Sequence, residues 1–494
     1  MEDYQVLVVG GGINGAGVAR EAVYQGFTTL LVEQGDFAQA TSSQSSKLIH
    51  GGIRYLEQGR LKLVFESLSE RKRLLKIAPH LVHSLRFHIP VYQGDPRPAW
   101  LVGLGCKLYD FLAGKQNLEP SARLSKAEMA EVTELNPSGL KAIFAYSDAQ
   151  VFDARLTLET ALSAHDAGAV VRNWTALVDT VEQGDRFLVT LEDRRTKNQY
   201  QVTTKVLVNA AGAWAPSLDK KITHQPKRPG LKLSRGIHFL VPRGAITHGF
   251  LTLPKGGRIV FVLPWKSYLL IGTTESAYQG EELLDIPASS AEKEYLLDVF
   301  HQFFPNQSLS QADVLHCYSG VRPLIDMGES DLGEMSREVR FEQELMPGGQ
   351  GYWAVFGGKI TSYRLLGERL VRQIRSKFTP QNLVLHHTAS FPLPGAQPPE
   401  DEATLAAQVP GELFELWSGR YAAGWGWIAR RYLEAPQKPL FGLFYPAELD
   451  YLVEREWAFE LDDILLRRTL LAFELTAQEK EVLGAALKIK GENR

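Results

Sequence analysis

Four basic side chains stand out by their company. Arg54 follows Gly51-Gly52-Ile53, Arg322 follows Ser319-Gly320-Val321, and Lys359 follows Gly357-Gly358. The fourth, Arg337, lies in Met335-Ser336-Arg337-Glu338. Taken singly, each reads as a solvated surface residue. Three of them adjoin loops that otherwise hold glycine and small residues, which is where an anion can be received. A phosphate with about two negative charges suits a guanidinium fork joined by an ammonium. Proton transfer near neutral pH asks for histidine. His50, in a hydroxyl-rich loop, and His238, at the start of an apolar run, are placed for it. His80, His83 and His88 have a loose metal-like spacing but no acidic or thiol partner nearby, so they read as structural and no metal is expected.

The elements that must position these groups begin at the N-terminus. Val6-Leu7-Val8-Val9 reads as a short buried strand, Gly10-x-Gly12-x-x-Gly15 as a turn, and Ala16-Gly17-Val18-Ala19 as a helix opening. Gly10 allows the tight turn, Gly12 lets the backbone approach a pyrophosphate, and Gly15 lets the helix pack close to the sheet. The helix N-terminus, with Ile13 and Asn14, offers N–H groups and a positive dipole end to phosphates. A second strand over 28–32 ends in Glu33, an acid that can accept the hydroxyls of an adenosine ribose. The loop that follows is rich in hydroxyl and N–H groups, suited to wrapping a cofactor's phosphate and ring. It supplies Thr41, Ser42, Ser46, Lys47, Leu48, Ile49 and His50 as binding candidates.

Two later passages return to the same place. The strand 206–209 ends in small residues, so that Ala210, Gly212 and Trp214 admit a flat ring or a pyrophosphate. The run 353–364 reads as strand, glycine turn and helix, with Gly358, Lys359, Ile360 and Thr361 at the helix start. A positive helix end there would stabilise negative charge on a reduced ring system.

The chain has 494 residues, enough for two or three domains. A formal net charge of −3 offers no basic field for nucleic acid. The two cysteines, Cys106 and Cys317, make neither a disulfide framework nor a cluster, which points to a reducing compartment. No Cys-x-x-Cys-His haem motif is present, so electrons must leave a bound cofactor directly for an outside acceptor. The chain enters a strand within a few residues, leaving no room for a signal peptide, and no run is apolar enough to span a membrane. The apolar segment 98–112 reads as a core helix, with an amphipathic helix at a membrane surface as the alternative. A helix over 153–168 is expected with Asp153 as N-cap, an antiparallel meander over 174–205, a linker over 392–399, and helices beyond it.

The glycine turn at 10–15, together with Thr41-Ser42-Ser43-Gln44-Ser45-Ser46-Lys47-Leu48-Ile49-His50-Gly51-Gly52-Ile53-Arg54-Tyr55-Leu56, resembles FAD-dependent glycerol-3-phosphate dehydrogenase, the quinone-linked flavoenzyme family. Matches at 318–324 and 353–364 carry the resemblance over nearly the whole chain. It implies an α/β (α+β) fold with a two-dinucleotide-fold FAD-binding domain of the D-amino-acid-oxidase-like type, assembled from 1–75, 145–235 and 316–378. A sheet-rich substrate domain would comprise 76–144 and 236–315, and a helical domain 390–494.

The activity implied is oxidation of sn-glycerol 3-phosphate to dihydroxyacetone phosphate, with hydride passing from C2 to N5 of a non-covalently held FAD and electrons to a membrane quinone. Arg322, Arg337 and Lys359 match residues that hold the phosphate or lie beside it. Among the candidates, His238 is the favoured base with His50 second, Arg54 and Arg322 stabilise the alkoxide, and Tyr55 positions substrate. The partners implied are glycerol 3-phosphate, a quinone and a membrane surface met peripherally on its cytoplasmic face, with a homodimer left open. The rivals are an oxidase passing electrons to oxygen, an amine or amino-acid oxidase of the same fold, and a flavin-holding protein without turnover.

Overall fold

The strand Glu2–Val9 lies inside an eight-stranded sheet, between Gln199–Asn209 and Thr29–Val32, parallel to both. In the computed structural model, which describes residues 1–222, 230–254, 257–326, 339–382 and 387–492, this sheet continues through Gly351–Phe356 on one side and Val170–Arg172 on the other, again in parallel. Side chains alternate across it, as the two-residue period of a strand requires. Val6, Val8 and Leu31 face one cluster, and Leu7, Val9, Leu30 and Val32 face another. The first cluster is closed by the helices Ile13–Tyr24, Asp153–Asp166 and Tyr363–Arg375. Against the opposite face lies the expected meander, Thr175–Gln183 and Arg186–Asp193, which enters the sheet through Gln199–Asn209. Covering both faces explains why these strands read as unbroken apolar runs.

A second sheet of ten strands stands beside the first. Its spine is Leu231–Pro242, Tyr268–Gly272, Val260–Trp265, Gly249–Thr252, Val82–Tyr92 and Leu140–Val151. The helix Ser290–Phe303 covers one face with Leu296, Val299, Phe300 and Phe303, and is opened by a capping box between Ser289 and Glu292. The boundary expected at 316 falls at the start of a strand, His316–Ile325, whose hydrogen bonds run to Leu231–Pro242 in this second sheet. Arg322 is therefore carried by the second sheet. The helices between 402 and 492 pack around Trp417, Trp425 and Leu452, and a capping box of Thr476 and Glu479 opens the last of them.

Several local expectations are corrected. The helix Ala99–Ala113 is a surface helix, with only Cys106, Tyr109 and Ala113 buried. Trp100, Leu104 and Phe111 are 70%, 58% and 80% exposed. The segment is apolar on every side, while the sheet beneath accepts one face, so hydropathy without a clear moment misled. Asp153 is not the N-cap of its helix; Phe152 holds that position, and the Asp153 carboxylate turns to Lys47 and Ser45. The stretch 392–399 is no free linker, because Leu393 is buried and its N–H donates to Ile77 O.

Candidate active site

The first glycine turn is built as its spacing requires. Gly10 has φ +118°, and a Cβ there would lie 2.5 Å from Ala210 O. A Cβ on Gly15 would lie 1.8 Å from Gly10 O, which no side chain can meet. The helix starts at Ile13 with no side-chain cap from Gly12, leaving its N-terminal end for a phosphate. Ser42 Oγ accepts from Ile13 N at 2.9 Å, tying the hydroxyl-rich loop to the turn. The Glu33 carboxylate accepts from Gly11 N at 2.6 Å and Gly35 N at 2.9 Å. Two N–H groups leave a carboxylate spare lone pairs, so Glu33 keeps capacity for a ribose diol.

Around this turn opens a cavity of about 660 Å³. Of the expected residues, Gly10, Gly12, Ile13, Asn14, Glu33, Thr41, Ser42, Ser46, Leu48, His50, Ala210, Gly212, Trp214, Arg322, Gly358, Lys359 and Ile360 line it. Cross-ties hold its walls. Thr41 Oγ1 donates to Val321 O at 2.6 Å, and Asn14 Nδ2 donates to Gly357 O at 3.2 Å, joining the first glycine turn to the second. Thr361 lies just behind the wall, where its Oγ1 accepts from His50 N at 3.1 Å. The Lys359 ammonium stands 3.7 Å over the ring of Tyr55, which is buried behind the lining.

Other expected residues are placed differently. Lys47 is not on the cavity wall. Its ammonium is buried, 2.7 Å from Asp153 Oδ1 and 3.0 Å from Ser43 O, with the rings of Trp265 and Tyr318 nearby. Ile49 is wholly buried in the short strand Leu48–Ile49, and Gly15 lies beneath the turn. Arg54 lines a separate apolar groove. Arg337 lies outside the described residues.

His238 stands behind the wall rather than on it. It shares a 2.9 Å hydrogen bond with Ser46 Oγ and stacks on Tyr318 at 5.0 Å. Burial pushes its imidazole well below the ordinary histidine value, and the Arg322 and Lys47 cations push the same way. A neutral ring bonded to Ser46 fits a group that orients a cavity hydroxyl, and His50 is the histidine on the wall. Residues 5–372 match the model of a family described as FAD dependent oxidoreductase.

The chain belongs to this FAD-dependent oxidoreductase family.

It is 36% identical to a glycerol-3-phosphate dehydrogenase of Pseudomonas aeruginosa, covering 100% of this chain and 96% of that one. It is also 36% identical to a D-erythritol 1-phosphate dehydrogenase of Brucella abortus, covering 97% and 96%. Among solved structures, the glycerol-3-phosphate dehydrogenase of Bacillus halodurans complexed with FAD superposes with a TM-score of 0.75 at 25% identity, over 99% of this chain and 94% of that one.

The family's cofactor fits the residues present. The cavity has the volume of a cofactor site, the glycine turns leave no Cβ in the way of a pyrophosphate, and buried Asn14 Oδ1 on its wall has no protein partner among the described residues. FAD would be held by the turn at 10–15, Glu33, the loop 41–50 and the second turn at 357–360. The wall at the Glu33 end includes residues the sequence reading missed, Trp174, Thr175, Leu177, Arg194 and Lys197. Trp174 N donates to Gly35 O at 2.9 Å and Thr175 N to Glu33 O at 2.7 Å. These come from a meander far along the chain, and only the expected strand beginning near 174 hinted at them.

Proposed function

We propose that this FAD-dependent oxidoreductase oxidises sn-glycerol 3-phosphate at C2 to dihydroxyacetone phosphate. The observation that carries the reading is that Arg322, Lys359 and His50 line one cavity with the first glycine turn. Bound FAD supplies the hydride acceptor. Arg322 and Lys359 hold the phosphate, the guanidinium as a fork and the ammonium as a point charge. Tyr55 limits where Lys359 can move. His50 takes the proton of the C2 hydroxyl, while His238 acts from behind the wall through Ser46, whose hydroxyl lies on it. The alkoxide develops beside Arg322, whose charge stabilises it.

Arg322→Met tests the reading. Loss of one charge-assisted phosphate contact is worth about 1.5–3 kcal/mol, so KM should rise by about 10- to 150-fold with FAD retained. An unchanged KM contradicts it. His50→Gln should lower kcat by about 100-fold and His238→Gln by much less; the reverse order returns the base to His238.

A second reading takes a longer polyol phosphate, favoured by the equal identity to the D-erythritol 1-phosphate enzyme. The ratio of kcat/KM for the two phosphates decides between them.

The acceptor we propose is a membrane quinone, reached from a peripheral position on the membrane. Among the described residues no helix is long and apolar enough to cross a membrane. Trp100, Leu104 and Phe111, and Leu61 and Phe65 of the helix Leu61–Ile77, are exposed apolar side chains suited to lying in a lipid interface. Beside them lies an apolar groove of about 210 Å³, lined by Ile53, Leu56, Leu101, Leu251 and Arg54 among others, whose first residue directly follows Gly51-Gly52. Phe111→Ser with Trp100→Ser should abolish co-sedimentation with lipid vesicles; retained binding removes the helix from the contact.

A further inference from the structure

The helical C-terminal domain has no part in the cavity wall, yet it grips the loop that makes one end of that wall. Asp36, wholly buried, lines the cavity three residues after Glu33. Its carboxylate accepts from Arg468 Nη2 at 2.7 Å, from Arg468 Nη1, and from Arg467 Nε at 2.6 Å. Arg467 also pairs with Asp463, so two carboxylates and two guanidiniums close into a neutral buried cluster. The two arginines end a π-helical turn, Asp463–Arg468, a rare geometry that recurs at functional positions.

The grip extends to both neighbours of Asp36. Phe37 meets Trp457 edge-on at 5.6 Å. Asn173, next to the cavity residue Trp174, donates to Asp36 Oδ1 at 3.2 Å and to Trp457 O at 2.9 Å. On the cavity side the same loop is fixed by Gly35, whose N–H meets Glu33 and whose carbonyl meets Trp174. Burial alone would raise the Asp36 carboxyl, but Arg468 and Arg467 outweigh it and hold the group below its ordinary value. The carboxylate is therefore charged and directional, which suits a positioning contact.

We infer that Arg468 and Arg467 are positioning residues for the adenosine half of FAD: through Asp36 and Phe37 the C-terminal domain sets the loop 33–37, and with it the affinity for the cofactor but not the chemistry at the flavin ring. The chain carries a second buried tie between the same bodies, Arg155 Nη1 to Glu456 Oε2 at 2.6 Å, whose side chains do not touch the loop, although the Glu456 carbonyl accepts from Arg468 Nη2 at 2.7 Å. It serves as the comparator.

The test titrates FAD-stripped protein with FAD and, separately, with ADP, by calorimetry and by flavin fluorescence. Arg468→Gln should weaken both ligands by the same factor, about tenfold or more. The absorption spectrum and reduction potential of the reloaded flavin should match the wild type, and Arg468→Lys should recover part of the loss. Arg155→Met should lower Tm while leaving both affinities within about twofold. Should Arg468→Gln fail to fold, Arg467→Gln, whose side chain is 11% exposed, should show the same pattern at about threefold or more. Wild-type affinity in the arginine variants, a loss confined to FAD with ADP unaffected, or an equal loss in Arg155→Met overturns the inference.

Discussion

Lys47→Met separates a cofactor contact from a structural one. The substitution keeps a long unbranched stem at a position where the backbone has φ +53°, so it changes charge more than shape. It leaves the Asp153 carboxylate, wholly buried, with Ser45 N and Oγ and Ala154 N but no cation. Removing one partner of a buried ion pair costs about 3–5 kcal/mol, most of it from the charge left behind. Loss of the contacts with Trp265 and Tyr318, at 4.9 and 5.2 Å, adds to it. For a chain of this length unfolding as a unit, the entropy per residue converts each kcal/mol into about 1 °C, so Tm should fall by about 3–5 °C. Adding Asp153→Asn removes the stranded charge and should return about half of the loss. Calorimetry of the single and double variants, with FAD content measured alongside, gives the answer. The folded single variant should still carry FAD. An unchanged Tm with a large drop in FAD affinity would refute the reasoning and make Lys47 a cofactor ligand after all.

Gly15→Ala sets a methyl 1.8 Å from Gly10 O. The helix cannot retreat, since a Cβ on Gly17 would already lie 2.8 Å from the Tyr363 ring. Overpacking of this kind costs about 1–3 kcal/mol or more, and the purified variant should be largely free of FAD by absorbance; full occupancy would contradict the turn's role. Stability should fall as pH drops below about 6.5, because His238 is held neutral in the fold while the unfolded imidazole takes up a proton. His238→Gln should flatten that part of the urea-midpoint profile. At lower pH the depressed Asp36 carboxyl adds a second loss: its contribution is present above the ordinary aspartate value of about 3.9 and disappears as pH falls through the folded value. Asp36→Asn should remove that slope from the acid-unfolding curve.

Much of the site could be read from the sequence because its parts are local. The turn 10–15, Glu33 and the loop 41–50 are contiguous motifs whose geometry follows from glycine placement and hydroxyl content. The likeness to a known family singles out Lys359, and the fold sets it over the Tyr55 ring. What escaped notice depends on partners distant in sequence. Trp174 reaches the wall only because strands Thr29–Val32 and Val170–Arg172 pair. Lys47 reads as a cofactor contact because nothing in its own segment announces Asp153, and the Ser46 that stands beside His238 cannot be placed by spacing. The helix Ala99–Ala113 misled for the opposite reason, since its composition is that of a core while its face is not.

The central claim is that a phosphorylated polyol meets FAD in the cavity shared by Arg322, Lys359 and His50. Its most direct test is the visible absorption of the FAD-loaded protein, recorded without oxygen before and after adding glycerol 3-phosphate. The account predicts bleaching by the phosphate ester and none by glycerol. An oxidised spectrum that persists with the ester, or equal bleaching by glycerol, would contradict it.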